Sequence, residues 1–94
     1  MIQYTARAIS DLIRLREFIA ENNPSAASRI SSELKQEINK LDVFSQIGIE
    51  VTKATDTKNI RDLFIGNYTV RYLIANDDIF ILRLWHDKEN ERNA

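Results

Sequence analysis

Three arginines, a tryptophan and a histidine in the C-terminal third of the chain are the residues best suited to chemistry. Arg61 lies in the run IRDLFI, Arg71 lies in YTVRYLIA, and Arg83, Trp85 and His86 end the run DIFILRLWH. An arginine presents a planar fork of donors to a carboxylate or a phosphate and stacks on aromatic rings. Arginine and tryptophan are also enriched at the centres of protein interfaces. These residue types favour a binding surface.

The remaining composition offers little to a catalyst. The chain has one histidine and no cysteine, and no group of Asp and Glu residues has the spacing of a cation-binding loop. His86 has no orienting partner evident in the sequence, and there is no Gly-rich phosphate loop. We identify no catalytic residue, no metal site and no cofactor.

Length and charge limit the class of protein. The 94 residues predict one domain spanning 1–94. A net charge of −1 disfavours a non-specific nucleic-acid binder. No apolar run approaches the roughly 20 residues that cross a bilayer, and the N-terminus lacks the pattern of a signal peptide. A chain without cysteine suits a reducing compartment, so we expect a cytoplasmic protein.

The N-terminal half predicts a short strand and two helices. Residues 2–5 alternate between apolar and polar, and apolar residues from Ile9 to Ile19 then follow a helical spacing that ends near Asn22. Asn23 can cap a second helix with Pro24 at its first position. Because the link is short, the two helices should form an antiparallel hairpin.

The C-terminal half predicts three strands. Residues 45–59 have no period and predict a loop, with a turn at Gly48 and positive charge at Lys53 and Lys58. A period of two then predicts strands over 60–65, 68–75 and 78–86, joined by tight turns. The polar tail from residue 87 should fray. The predicted fold is α+β, in the order β-α-α-β-β-β, with the helical hairpin packed on one face of an antiparallel sheet.

Strict alternation assigns side chains to the two faces of this sheet. It puts Tyr68, Val70, Tyr72 and Ile74 on one face. If the strands are in phase, the other face carries three arginines beside apolar anchors: Arg61, Arg71, Arg83, Trp85, Leu63, Leu73, Ile79 and Ile81. The alternative is an ordinary solvated face whose arginines pair with Asp62, Asp77 and Asp78.

The spacing of these features resembles the RelE/ParE superfamily of toxins from type II toxin–antitoxin systems. The match covers nearly the whole chain, and the ending ILRLWH resembles the ParE branch. The matching residues are Gly48, Arg61, Leu63, Tyr68, Tyr72, Ile81, Leu82, Arg83, Leu84 and His86.

Two positions distinguish the branches. RelE-like toxins cut messenger RNA on the ribosome, which requires groups that activate the 2′-OH and stabilise charge on the phosphorane. By comparison with that branch, Thr69 and Glu89 stand where arginines are expected, and Leu63 stands near a lysine. These departures favour a protein that acts by binding over an enzyme.

The resemblance therefore implies a ParE-like toxin that poisons DNA gyrase and is neutralised by a cognate antitoxin, which is often acidic and partly disordered when free. The alternatives are a RelE-like ribosome-dependent endoribonuclease and a non-toxic binding module. The expected binding groove consists of Arg61, Leu63, Arg71, Leu73, Arg83, Trp85, His86 and Lys88.

Overall fold

A computed structural model of the chain describes residues 1–51 and 59–89. Lys53 and Lys58 lie outside these residues. Within them the chain forms two α-helices and five strands: β1 (Ile2–Tyr4), α1 (Ala6–Asn22), α2 (Pro24–Asn39), β2 (Ile49–Glu50), β3 (Ile60–Ile65), β4 (Tyr68–Ala75) and β5 (Asp78–His86). The α+β fold is confirmed. The short strand β2 is an addition, because it lies within the predicted loop.

The predicted helical hairpin is confirmed, with Asn23 as the link between the two helices. The Thr5 side chain caps α1 by accepting a hydrogen bond from the Ala8 N–H. Asn23 ends α1 by donating its own N–H to the Ile19 carbonyl, and it starts α2 by accepting from the Ala26 N–H. One residue thus serves both helix ends, which forces an abrupt reversal of direction.

The sheet has the strand order β1-β5-β4-β3-β2. The meander β3-β4-β5 is antiparallel as predicted, β2 adds to it antiparallel, and β1 pairs with β5 in parallel. Because β1 reaches only Ile79 to Ile81, no strand of the described residues pairs with the rest of β5 on that side. Helix α1 lies along this free edge.

A β-bulge in β5 overturns the predicted faces of the first part of the last strand, residues 79–81, and leaves Arg83 and Trp85 on the predicted face. Arg83 lies opposite Arg71, but the next residue of β4, Tyr72, lies opposite Ile81, so Leu82 has no partner in β4. The extra residue shifts the alternation by one position. Leu84 therefore shares a face with Ile81, and Arg83 does not.

The core lies between this face and the helices. Its buried residues come from both helices, from the turn that follows α2 and from the two longest strands: Ala8, Leu15, Ile38, Leu41, Val70, Tyr72, Ile79, Ile81 and Leu84. Full burial of one large apolar side chain stabilises the fold by about 1.5–3 kcal/mol. The hairpin is thus held on one face of the sheet, as predicted.

Tyr72 fixes the segment that leads into β2. Its hydroxyl donates to the Ser45 carbonyl (2.7 Å) and accepts from the Gly48 N–H (2.9 Å). A Cβ atom on residue 48 would lie 2.6 Å from this hydroxyl oxygen. Glycine is therefore required at position 48 by the close approach of the tyrosine.

Replacing Tyr72 by Phe should lower the free energy of unfolding by about 1–3 kcal/mol, because a buried N–H and a carbonyl lose their partner. Urea unfolding measures the change. The matched control is Tyr4→Phe, since the Tyr4 hydroxyl has no hydrogen bond to the residues that the structure describes; its effect should stay within about 0.5 kcal/mol. Equal effects of the two substitutions would contradict the role given to the Tyr72 hydroxyl.

Candidate functional site

The face of the sheet away from the helices is called the outer sheet face. Cross-strand pairing builds it from three rows, Ile60–Leu73–Phe80, Asp62–Arg71–Arg83 and Phe64–Thr69–Trp85. Four predicted groove residues lie on it: Arg71, Leu73, Arg83 and Trp85. Among the described residues no helix or strand covers this face, and Phe64 is 57% exposed on it.

Arg61 and Leu63 do not lie on the outer sheet face, so the prediction was wrong for both. The pairing puts Asp62, not Arg61, opposite Arg71, which turns Arg61 to the face of Tyr72. There its guanidinium donates to the Gly48 carbonyl at 2.9 Å. Leu63 lies opposite Val70 and packs against the core.

Two predicted apolar anchors also belong elsewhere. Ile79 and Ile81 are buried in the core, because the bulge puts the residues before Leu82 on the opposite face from the one that strict alternation with Arg83 and Trp85 predicts. Phe64 and Phe80 supply apolar surface on the outer sheet face instead. Strict alternation of side chains could not show that Phe80 lies on the outer sheet face in place of Ile79 and Ile81, since nothing in the sequence marks the bulge.

Arg71 is held in place on the outer sheet face. Its Nε and Nη2 donate to the two carboxylate oxygens of Asp62, at 2.8 and 3.0 Å, and its guanidinium carbon lies 5.2 Å from the centre of the Trp85 ring. The hydrogen bond to Asp62 raises the pKa of Arg71. This side-on pairing leaves Nη1 without a hydrogen bond to the described residues, so one N–H edge remains available to a partner.

Arg83 is bound to helix α1 through Asp11. The Asp11 carboxylate is 3% exposed and accepts from Arg83 Nε (2.8 Å), from the Leu84 N–H (2.9 Å) and from Arg14 Nη1. Burial alone raises the pKa of Asp11, but these hydrogen bonds outweigh it and hold the pKa below its ordinary value. Asp11 thus supplies the acceptor that a neighbouring strand would otherwise give to the edge of β5.

Arg14 extends this cluster to the C-terminal segment. It donates through Nη2 to the Leu84 carbonyl (3.1 Å) and through Nε to Glu89 (3.0 Å), and Glu89 also accepts from the His86 N–H (3.1 Å). Burial raises the pKa of Glu89, yet the bonds from Arg14 and His86 lower it overall. The predicted fraying is therefore wrong for residues 87–89, which have helical conformation. Residues 90–94 lie outside the described chain.

His86 and Lys88 are not on the outer sheet face. His86 lies opposite Tyr68, and its ring contacts those of Tyr68 (5.0 Å between centroids) and Phe18 (6.0 Å). Its Nδ1 accepts from the Lys88 N–H at 3.1 Å. Within the described residues no hydroxyl is hydrogen-bonded to the ring, so the imidazole has the surroundings of a packed aromatic side chain. The Lys88 side chain is exposed.

Thr69 is buried in the central part of the sheet, with 3% exposure. Its hydroxyl donates to Asp87 at 3.2 Å. A carboxylate thus lies beside the position where the RelE-like pattern has an arginine.

A second surface lies between the two helices, and sequence reasoning missed it. This groove, called the hairpin groove, has a volume of about 400 Å³ and is lined by Tyr4, Ile9, Leu12, Ile13, Arg16, Ser31 and Lys35. Ile9 and Ile13 are 49% and 56% exposed. Both belong to the apolar residues whose helical spacing predicts α1, but they lie to one side of the buried line Ala8–Leu15–Ile19. That offset is the signal in the sequence that could have revealed the groove.

Residues 1–51 and 59–89 were also compared with the requirements of a metal site and of a membrane-spanning helix. No set of three His, Asp or Glu side chains is grouped there to hold a metal ion. No helix there combines the length and apolar character needed to cross a membrane.

Comparison with known proteins identifies the family. A family model described as the ParE toxin of the type II toxin–antitoxin system, parDE, matches residues 2–91. The chain belongs to the ParE toxin family. It is 29% identical over 86 residues to toxin RelE2 of Caulobacter vibrioides, covering 90% of this chain and 92% of that protein.

Two solved structures confirm the RelE/ParE toxin fold. The chromosomal ParDE system of P. aeruginosa superposes with a TM-score of 0.76 at 17% identity, covering 90% of this chain and 92% of the other. The RelB–RelE antitoxin–toxin complex of Methanococcus jannaschii gives 0.57 at 15% identity, covering 97% and 96%.

Replacing Asp11 by Asn should lower the free energy of unfolding at neutral pH by about 2 kcal/mol, the scale of hydrogen bonds to a charged group. Because the folded pKa lies below the ordinary value of 3.8, the carboxylate stabilises the fold above that pH, and its contribution is lost as the pH falls through the folded pKa. The difference from the parent should therefore stay constant from neutral pH down to the ordinary value of 3.8 and shrink as the pH falls below it.

Urea unfolding at several pH values checks this expectation. The control is Glu17→Gln, an exposed carboxylate on the same helix, which should change stability by less than about 0.5 kcal/mol throughout. A destabilisation by Asp11→Asn that stays constant with pH would contradict the role assigned to the charge.

Proposed function

We propose that the protein is a toxin that poisons DNA gyrase by binding it and that a cognate antitoxin neutralises it. Membership of the ParE toxin family supports this proposal. The observation that carries it is the set of contacts made by Thr69 and Glu89, the two positions at which a ribonuclease of the RelE-like branch is expected to have arginines. Thr69 is buried beside Asp87, and Glu89 is bound to Arg14.

The chemistry of RNA cleavage explains why these positions matter. A scissile phosphate needs cations to stabilise its developing charge and a group that moves the 2′-OH proton. The carboxylates of Asp87 and Glu89 would repel that phosphate, and the ring of His86 is packed between Phe18 and Tyr68. The surroundings thus favour binding over catalysis.

A RelE-like ribonuclease is the second candidate. It is favoured by one observation, the 29% identity to a Caulobacter toxin named RelE2. The outer sheet face would then bind messenger RNA on the ribosome, with Arg71 as its available cation.

The proposed antitoxin contacts two surfaces on opposite sides of the sheet. On the outer sheet face, Leu73, Phe80 and Trp85 offer apolar anchors beside Arg71. In the hairpin groove, Ile9 and Ile13 offer apolar contacts beside Arg16 and Lys35, neither of which is ion-paired within the described residues. An acidic segment that is disordered when free could run round the molecule and reach both.

The first test separates the two targets. Induction of the chain in a bacterial host should cause filamentation and a DNA-damage response while labelled methionine is still incorporated. The purified protein should also inhibit supercoiling by purified gyrase. Co-expression of the protein encoded in the neighbouring reading frame is the control and should restore growth.

Immediate loss of methionine incorporation, with cut transcripts, would overturn the gyrase proposal in favour of the ribonuclease. Normal growth on induction would instead indicate a non-toxic binding module of the same fold.

The second test concerns antitoxin docking. Trp85→Ala on the outer sheet face and Ile13→Ala in the hairpin groove should each weaken antitoxin binding about tenfold or more, as expected for central apolar contacts. Isothermal titration calorimetry with the neighbouring gene product measures the affinity. Val43→Ala is the control, because Val43 is exposed but belongs to neither surface. If either variant binds as tightly as the control, its surface is not part of the interface.

A further inference from the structure

An open recess of about 490 Å³ lies where the start of helix α1 meets strand β5. It is lined by Thr5, Ala6, Arg7, Leu82 and Arg83. One lining residue, Leu82, is the extra residue of the bulge and has no partner in β4. The lining therefore combines the apolar side chains of Ala6 and Leu82 with two arginines.

The two arginines of the recess differ in how they are held. Arg83 is fixed by Asp11 through Nε and Nη2, so its Nη1 makes no hydrogen bond to the described residues. Arg7 is exposed and has no ion pair within the part of the chain that the structure describes. The recess therefore combines a pre-oriented N–H donor with a cation whose charge is not offset.

The surroundings limit what the recess can bind. Leu82 and Ala6 offer apolar surface to a neighbouring side chain, which a phosphate backbone does not supply. Asp11, Asp87 and Glu89 lie along the same end of β5 and would oppose a polyanion, and the whole chain carries a net charge of −1. A single carboxylate followed by an apolar side chain fits both properties.

The recess is continuous with the outer sheet face through Arg83. Arg83 lies directly opposite Arg71, whose guanidinium stacks near Trp85. Like charges on directly opposite residues are unfavourable, and here Asp11 and Asp62 offset them. A peptide that leaves the recess would meet Arg83, then Arg71 and the indole ring.

We propose that this recess binds an Asp or Glu side chain of an acidic partner segment between Arg7 and Arg83, with the next apolar side chain on Leu82. The inference rests on the proposed function, in which the segment belongs to the antitoxin. It adds Arg7, which none of the sequence patterns singled out, to the binding residues.

The test is titration of the antitoxin encoded in the neighbouring reading frame into the protein and its variants at three salt concentrations. Arg7→Ala should weaken binding about tenfold and reduce its salt dependence, and Arg7→Lys should recover most of the loss, since a point charge remains. Arg29→Ala is the matched control, because Arg29 is an exposed arginine on α2 that pairs with Glu33; its affinity should change less than about twofold.

The possible results separate this inference from the proposed function. If the parent protein binds the antitoxin but Arg7→Ala behaves like Arg29→Ala in both affinity and salt dependence, the recess is not a binding site and the proposed function stands. If a DNA duplex competes with the antitoxin in the parent but not in Arg7→Ala, the ligand class is wrong. If the parent binds no antitoxin, both proposals fail.

Discussion

The buried carboxylate of Asp11 closes an edge that the sheet itself leaves open. Among residues 1–51 and 59–89, strand β5 has a strand neighbour on that side only up to Ile81, and its later backbone groups still need partners. Asp11 accepts from the Leu84 N–H, Arg14 donates to the Leu84 carbonyl, and Glu89 accepts from the His86 N–H. Side chains thus replace a missing strand, and they join helix α1, strand β5 and the C-terminal segment into one unit.

The ion pairs in the structure change the role that Arg71 and Arg83 can have in binding a partner. The sequence left open whether Arg71 and Arg83 are free charges or pair with nearby aspartates. The structure pairs Arg71 with Asp62, one of the partners considered, and Arg83 with Asp11, which was not among them. Because their charges are already offset, these arginines contribute to binding mainly by orienting a partner: each keeps one N–H edge of its guanidinium group in a fixed orientation. Electrostatic attraction of an acidic partner must come from cations without an ion pair, such as Arg7.

The same scaffold supports toxins with different names, since this chain shares its fold with both a ParDE system and a RelB–RelE complex. Function on a shared fold is decided by the groups at the surface and not by the topology. In this chain the positions near the end of β5 hold Thr69, Asp87 and Glu89 in hydrogen bonds.

The sequence alone determined the two helices, their hairpin at Asn23 and the three-stranded meander, because helix caps, turn residues and hydrophobic period are local signals. It also identified the family through spaced residues. It missed the short strand β2 and the helical residues 87–89. Only the tertiary structure decided the faces. The bulge at Leu82 moved Ile79 and Ile81 to the core face while Arg83 and Trp85 kept the outer one, and the pairing of Asp62 with Arg71 moved Arg61 to the core side. A shift of one residue in register moves every following side chain to the other face, and register depends on contacts between strands that no local pattern encodes.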